Sequence, residues 1–354
     1  MTALGKTNTL YHFIKSLIEK AQAQVVREVN IIMILTYFEI GRAIVEEDQK
    51  GKHRAEYAKK MLEQLSKQLT SEFGKGYSMT NLEYFRKFYS VYRNKIPQSL
   101  IAKSGKAVKS SEFPIPQSVI EEFKSLIVLS WTHYIQLIKI ENDDERNFYE
   151  IEAARGNWSV RELQRQYNSS LFERLSLSKD KRSIKQLARK GQIIEKPTDA
   201  LKHHTVLEFL DLKEDERYSE SDLENAIIDK IEHFMLELGR GFLFEGRQRR
   251  FTFDGDSFFV DLVLYNRILR CYVLIDLKIG RLIHQDIGQM QMYVNYYDRK
   301  IKLSEENSTI GIILCKEENK AVVEFTLPKD NKTIFAKEYK LYLPSKEELK
   351  RQLK

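Results

Sequence analysis

The stretch Phe258–Asp298, FFVDLVLYNRILRCYVLIDLKIGRLIHQDIGQMQMYVNYYD, decides the fold. It holds two strand-like runs, Phe258–Tyr265 and Cys271–Lys278, separated by a short polar turn. Both are rich in Val, Ile, Tyr and Phe, the residues a pleated, half-buried surface favours. Both also carry charge where an apolar residue is expected: Asp261 in the first, Asp276 and Lys278 in the second. Side chains alternate across a strand, so Asp276 and Lys278 share a face and Leu277 takes the other. A hairpin of the two runs brings Asp261 beside Asp276. Two adjacent carboxylates repel unless a cation lies between them, and hard oxygen donors suit Mg²⁺ or Mn²⁺. Lys278 then stands beside that cation, placed to orient a water or to balance phosphate charge. The bland alternative puts both aspartates at strand ends, facing solvent.

A third acid comes from the helix predicted over 222–238. At roughly 100° per residue, Ile227, Ile228, Ile231, Met235 and Leu238 gather around Glu224, which therefore lies on the midline of the apolar face. The same rotation puts Glu237 on the opposite, solvated side. Ser221 and Glu224 also form a capping-box pattern, which needs no catalysis. After this helix, Phe242–Phe244 and Gln248–Phe253 read as strands. Gln248, Arg249 and Arg250 precede the first acid strand, where they are either phosphate contacts or an exposed edge.

The ordered set of helix acid, strand acid, hairpin, Asp276-Leu277-Lys278 and Gln289-Met-Gln-Met-Tyr293 resembles the PD-(D/E)XK nuclease superfamily. The run from the Glu-bearing helix through GQMQMY, with WSVRELQRQ upstream, is similar to the YhcG family of bacterial proteins. The resemblance implies a restriction-endonuclease-like α/β domain with a mixed central sheet behind an α-helical N-terminal domain. It also implies metal-dependent hydrolysis of nucleic-acid phosphodiesters. Asp261, Asp276 and the Leu277 carbonyl would hold Mg²⁺ or Mn²⁺, Glu224 would complete the site, and Lys278 would orient the attacking water. Gln289 and Tyr293 would steady the site or the nucleic-acid backbone.

Upstream, residues 8 to 92 read as helical. Leu10, Phe13, Ile14, Leu17, Ile18 and Ala21 make an amphipathic stripe, and Val29–Val45 is apolar nearly all round, as a central bundle helix is. Tyr57, Ala58, Met61, Leu62, Leu65 and Leu69 make a further stripe. Thr80 and Glu83 form a capping box opening a helix to about Arg93, which carries Arg86, Lys87 and Arg93 among five aromatics. It reads equally as part of a helix-turn-helix or winged-helix-like domain that binds nucleic acid, or as a bundle helix with aromatics inside and cations in water. Residues 94–118 read as a loop or insertion. The domain plan is 1–175 helical, 176–220 connector and 221–354 nuclease. Later strands are expected at Thr309–Cys315, Val322–Phe325 and Lys340–Leu343.

Composition adds bounds. The 354 residues carry a formal net charge of +7, compatible with a polyanionic partner such as DNA. No run approaches the length of a membrane span, and MTALGKTNTLYHF lacks the apolar core of a signal peptide. Cys271 and Cys315 read as reduced core residues of a cytoplasmic protein. A homo-oligomer and restriction–modification or defence partners are compatible with this pattern. Two rivals to an active nuclease remain: a nucleic-acid binder that keeps the fold without turnover, and an interaction subunit docking through its helical domain.

Overall fold

A computed structural model describes residues 3–50, 55–97, 117–177, 181–200, 204–212, 218–253 and 255–342. Most of the expected 94–118 insertion, with Pro114 and Pro116, lies outside the described residues, as do the side chains of Tyr57 and Ala58. The chain packs as two units, Met1–Arg146 and Asn147–Lys354. Among the described residues no helix is long and apolar enough to cross a membrane.

The first unit is helical: α1 (Ala3–Lys50), α2 (Ala55–Phe73), α3 (Met79–Tyr92), α4 (Gln117–Leu126) and α5 (Trp131–Leu137). The two segments expected before residue 50 are one continuous helix. Its second half meets the sequence reading, because Ile31, Ile34, Leu35, Phe38 and Ile44 are buried. In its first half Leu10, Phe13, Ile14, Leu17 and Ile18 are all exposed. The aromatics of α3 are core residues. Phe85 stacks on Tyr37 at 4.3 Å between centroids and lies 5.4 Å from Trp131. The α3 cap also differs from the expected one: Ser78, not Thr80, is the N-cap and accepts from the Asn81 N–H. Arg86 points at Asp48, 3.4 Å away, and Lys87 is exposed.

In sequence α6 (Asp143–Gly156) carries the chain into the second unit, followed by α7 (Val160–Asn168), α8 (Leu171–Ser176) and α9 (Lys181–Lys190). Ser159 caps α7, accepting from the Glu162 N–H at 3.1 Å. A six-stranded sheet follows: β1 (His204–Val206), β2 (Phe242–Phe253), β3 (Asp256–Asn266), β4 (Cys271–Arg281), β5 (Ile310–Glu317) and β6 (Ile334–Lys340). Its order is β1-β6-β5-β4-β3-β2. The β2–β3 and β3–β4 pairs are antiparallel, and β4–β5, β5–β6 and β6–β1 are parallel, so the sheet is mixed.

Each face of the sheet is covered. Leu262, Leu264, Val273, Ile275 and Leu277 pack with Leu223, Ile227, Phe234 and Leu238 from α10 (Glu220–Asp229) and α11 (Ile231–Leu238). On the other face Val263, Leu274, Ile313 and Cys315 pack with Ile287, Met290, Tyr293 and Val294 of α12 (His284–Tyr296). Each such fully buried side chain contributes roughly 1.5–3 kcal/mol. Gly311 of β5 permits the close seat of α12, since a Cβ there would meet Met290 Sδ at 2.5 Å.

Five expectations fail in this unit. Residues 222–238 are not one helix. The ladder breaks at Lys230, whose φ of −117° and ψ of 28° are not helical, so the rotation carried from Glu224 is lost before Glu237. Glu237 is consequently buried rather than solvated. Its carboxylate accepts from Arg174 at 2.6 Å and from the Val206 N–H at 3.1 Å, and lies 3.3 Å from Arg165. Ser219 with Asp222, not Ser221 with Glu224, forms the capping box of α10. Residues 322–325 lie in a helix, α13 (Lys320–Thr326), because the Asn319 side chain caps its start and overrides the strand preference of two valines. The last strand lies earlier than expected, at Ile334–Lys340, and residue 343 is outside the described residues.

Candidate active site

The register of the hairpin places the two strand acids. Leu262 pairs with Ile275, which sets Asp261 opposite Asp276, as the alternation predicts. The β3–β4 ladder ends at that pair, leaving the next inward-facing amide of β4 without a strand partner. The Asp261 side chain takes that place: its Oδ2 accepts from the Leu277 N–H at 2.8 Å. The carboxylate therefore tethers β3 to the Asp276-Leu277-Lys278 element.

Gln248 lies across from Asp261 on β2, between the pairs Arg247–Leu262 and Arg249–Val260. Its φ is +48°, a left-handed conformation costing a non-glycine residue roughly 1–2 kcal/mol. A bulge between Phe244 and Gly246 precedes it. Such irregularities re-aim side chains beside functional sites. Here the Gln248 amide reaches Glu224 Oε2 at 2.6 Å and Asp261 Oδ1 at 3.1 Å. Since a carboxylate only accepts, both bonds fix the amide nitrogen on the acid side. Gln248 is thus the bridge between α10 and β3. The sequence offers it as a phosphate contact or part of an exposed edge, because nothing local predicts a left-handed glutamine. Arg249 is held by Glu245 at 2.6 Å and Arg250 by Ser257 at 3.1 Å, both on the exposed side.

Asp276 is nearly fully buried at 2% exposure. Burial pushes its carboxyl up to about 7; Lys278 opposes the rise, and the Asp261 charge adds to it. Lys278 Nζ lies 2.9 Å from Asp276 Oδ2, off the direction of a hydrogen bond. This buried oxygen therefore has an ionic contact but no well-formed hydrogen bond. Burial works against the Lys278 ammonium, but attraction to Asp276, with Glu220 and Asp261 behind it, outweighs burial and holds the pKa above its ordinary value. Glu220 Oε2 is 3.7 Å from Nζ. Burial also raises the Glu224 carboxyl, partly offset by the Gln248 hydrogen bond, and the Asp261 charge raises it further.

From the other face, α12 presents Gln289 and Tyr293 one turn apart, and the Gln289 amide donates to the Tyr293 hydroxyl. Burial holds the Tyr293 phenol above its ordinary value, with Asp276 and Asp261 adding to the rise. The phenol therefore lies within electrostatic reach of both acids. Asp286, buried at the start of α12, accepts from the Ile283 N–H at 3.0 Å and raises the Asp276 carboxyl further. Sequence reading passed over it, although an acid three residues after a helix start is an N-terminal signal.

The donor set fits a hard divalent cation. Asp276 Oδ2 is a buried carboxylate oxygen lacking a hydrogen bond, and Asp261 lies opposite it. Mg²⁺ is commonly held by one or two carboxylates and keeps several waters. Among the described residues, no three His, Cys, Asp or Glu side chains group closely enough to hold a metal. Glu224 is accordingly joined to the pair through Gln248.

Residues 198–354 match the family described as YhcG PDDEXK nuclease domain, and residues 13–174 match DUF1016 N-terminal domain. The Escherichia coli (strain K12) protein named Putative nuclease YhcG is 39% identical over 348 residues, covering 95% of this chain and 91% of that protein. This chain belongs to the YhcG family. Its YhcG-type nuclease domain contains β1 to β6. Two solved structures share weaker likeness. A repair endonuclease from Pyrococcus abyssi is 17% identical, covering 37% of this chain and 50% of that one, at a TM-score of 0.25. The EndoMS–dsDNA2 complex gives 14%, 38% and 51% at a TM-score of 0.26. At such scores neither bears on substrate or mechanism.

Proposed function

We propose that this YhcG-family chain is a metal-dependent nuclease that hydrolyses phosphodiester bonds of nucleic acid, with DNA as the substrate. The buried Asp276 carboxylate carries the reading: it faces Asp261 across the hairpin and holds Lys278 in contact. Burying charge on a sheet face is costly and tends to mark function. Asp261, Asp276 and the Leu277 carbonyl would hold Mg²⁺ or Mn²⁺. The ion would activate water and stabilise charge on the phosphate.

The other residues have distinct work. Lys278, kept cationic by its acidic neighbours, donates to the attacking water and to the phosphate oxygens as negative charge develops. Asp276, poised near neutrality, ionises when positive charge comes close. Gln248 fixes the separation of Glu224 and Asp261, and Glu224 closes the water side of the site. Gln289 and Tyr293 bound the α12 side, where the phenol donates to a phosphate or to an acid. Arg249 and Arg250 on β2, and Arg86 and Lys87 on α3, supply phosphate contacts.

The test is a cleavage assay on duplex, branched and single-stranded DNA in Mg²⁺ and in EDTA. Cleavage in Mg²⁺ alone is expected; cleavage unaffected by EDTA would overturn the metal assignment. One observation favours a second reading, a binder that keeps the fold without turnover: the lack of a three-ligand group among the described residues. That reading gains if the wild-type chain binds DNA and cleaves none of the three substrates in Mg²⁺ or Mn²⁺.

A further inference from the structure

The second unit contains a cavity of about 420 Å³ that has no part in the acid site. It is lined by Arg155, Trp158, Gln166, Arg240, Phe242 and Arg267, among others. It lies beside the start of β2, six residues before Gln248, or roughly 20 Å along the strand. Its volume falls within the range of small-ligand pockets, roughly 300–1,000 Å³.

The lining has three chemical parts. Arg155, Arg240 and Arg267 supply three guanidinium groups against one carboxylate, Glu152, which is already engaged by the Gln192 N–H at 2.7 Å. Arg240 donates through one nitrogen to the Gln192 carbonyl, while its buried Nε has no hydrogen-bond partner. Trp158 supplies an aromatic face. Its indole edge lies against Gly156, where a Cβ would meet Nε1 at 2.5 Å, so the ring is held in the cavity wall. Gln166 closes the wall behind them. It is fully buried, and its amide nitrogen donates to Glu162 at 2.7 Å, which fixes the flip of the group. Its Oε1 consequently points elsewhere and has no partner.

Planar aromatic surface and guanidinium groups lining one cavity together match one ligand class. We propose that this cavity binds a nucleotide, with the base against Trp158 and Phe242 and the phosphate on Arg240 and Arg267. Stacking on an aromatic face and bidentate phosphate contacts by arginine are the general means of holding such a ligand. The nucleotide is either free or the phosphorylated end of a nucleic-acid chain; both present the same chemistry. The proposal stands independently of the nuclease reading.

Trp131 and Trp158 are the two tryptophans of the chain. In full-length Trp131→Phe protein, Trp158 fluorescence is titrated in EDTA with adenosine 5′-monophosphate, guanosine 5′-monophosphate, adenosine and inorganic phosphate. Equilibrium dialysis of labelled adenosine 5′-monophosphate against the wild-type chain gives the same reading without the substitution. The expected result is saturable quenching by at least one nucleotide, weaker by about tenfold or more for adenosine and for phosphate. Arg267→Ala, at an exposed position, should weaken nucleotide binding by about tenfold, while Asp276→Ala should leave it unchanged. Displacement by a 5′-phosphorylated oligonucleotide identifies a chain end as the ligand, and failure to displace identifies a free nucleotide. No saturable binding by either method, or Arg267→Ala binding like wild type, overturns the proposal. Loss of binding in Asp276→Ala would place the nucleotide at the acid site instead and overturn it equally.

Discussion

Removing the Glu237 carboxylate tests the internal joint of the second unit. Arg174 and Glu237 are both fully buried, and their contact is 2.6 Å. Arg165 reaches the same carboxylate but is also held by Glu208 at 2.8 Å, so it keeps a partner without Glu237. In Glu237→Ala the buried Arg174 guanidinium loses its 2.6 Å carboxylate contact, and breaking a buried pair on one side costs about 3–5 kcal/mol. The Val206 N–H also loses its acceptor. For a unit of this size the loss corresponds to a fall in melting temperature of about 6–20 °C. Scanning calorimetry with urea titration measures it. Glu237→Met with Arg174→Met should recover most of the loss, since an apolar pair avoids the desolvation penalty. The orphaned Val206 N–H should still cost about 1–3 kcal/mol. A fall below about 2 °C in Glu237→Ala would refute the reasoning, because the carboxylate would then be solvated, as the uninterrupted-helix reading had it.

Three further outcomes are expected. Glu224→Gln should lower cleavage by about 100-fold at near-normal melting temperature, because it takes no part in a cap and loses only charge; exposed Glu232→Gln is the control, and equal activities would remove Glu224 from the site. Arg86→Ala with Lys87→Ala should reduce the slope of log affinity for DNA against log salt by about 1–2, whereas an unchanged slope would make this face a solvated one. The third outcome concerns pH. The native Asp276 carboxyl, near 7, holds its proton to a higher pH than in the unfolded chain, where it is near 3.8. The native state therefore binds more protons between these values, and stability in EDTA should fall as pH rises through that window, by up to about 1.4 kcal/mol per unit. Asp276→Asn should flatten the fall, and parallel curves for the two proteins would remove Asp276 as its source.

The acid pair was legible because a strand has a period of two. Once Asp261 and Asp276 stand on apolar runs joined by a short turn, the register that buries Leu262 and Ile275 leaves them few other places. Glu224 was legible only near the helix start, where the 100° rotation still applies. Glu237 was not, since one non-helical residue, Lys230, resets the phase, and no glycine or proline marks it. Gln248 shows the same limit in a strand: its left-handed φ follows from the surrounding sheet, not from its own preference. The α13 segment went wrong because Val322 and Val323 favour strands, and only the cap on Asn319 reverses that. The stripe at Leu10–Ala21 predicted its helix, and its exposure was not legible because periodicity reports a face without saying what covers it.

The most direct test of the nuclease assignment is Mg²⁺-dependent cleavage by Asp276→Ala beside wild type, with DNA affinity and melting temperature measured on the same preparations. The account predicts a loss of about 100-fold or more in cleavage, with binding and folding retained. Cleavage by Asp276→Ala at the wild-type rate would contradict it, because the buried carboxylate on which the site is built would then have no part in the chemistry.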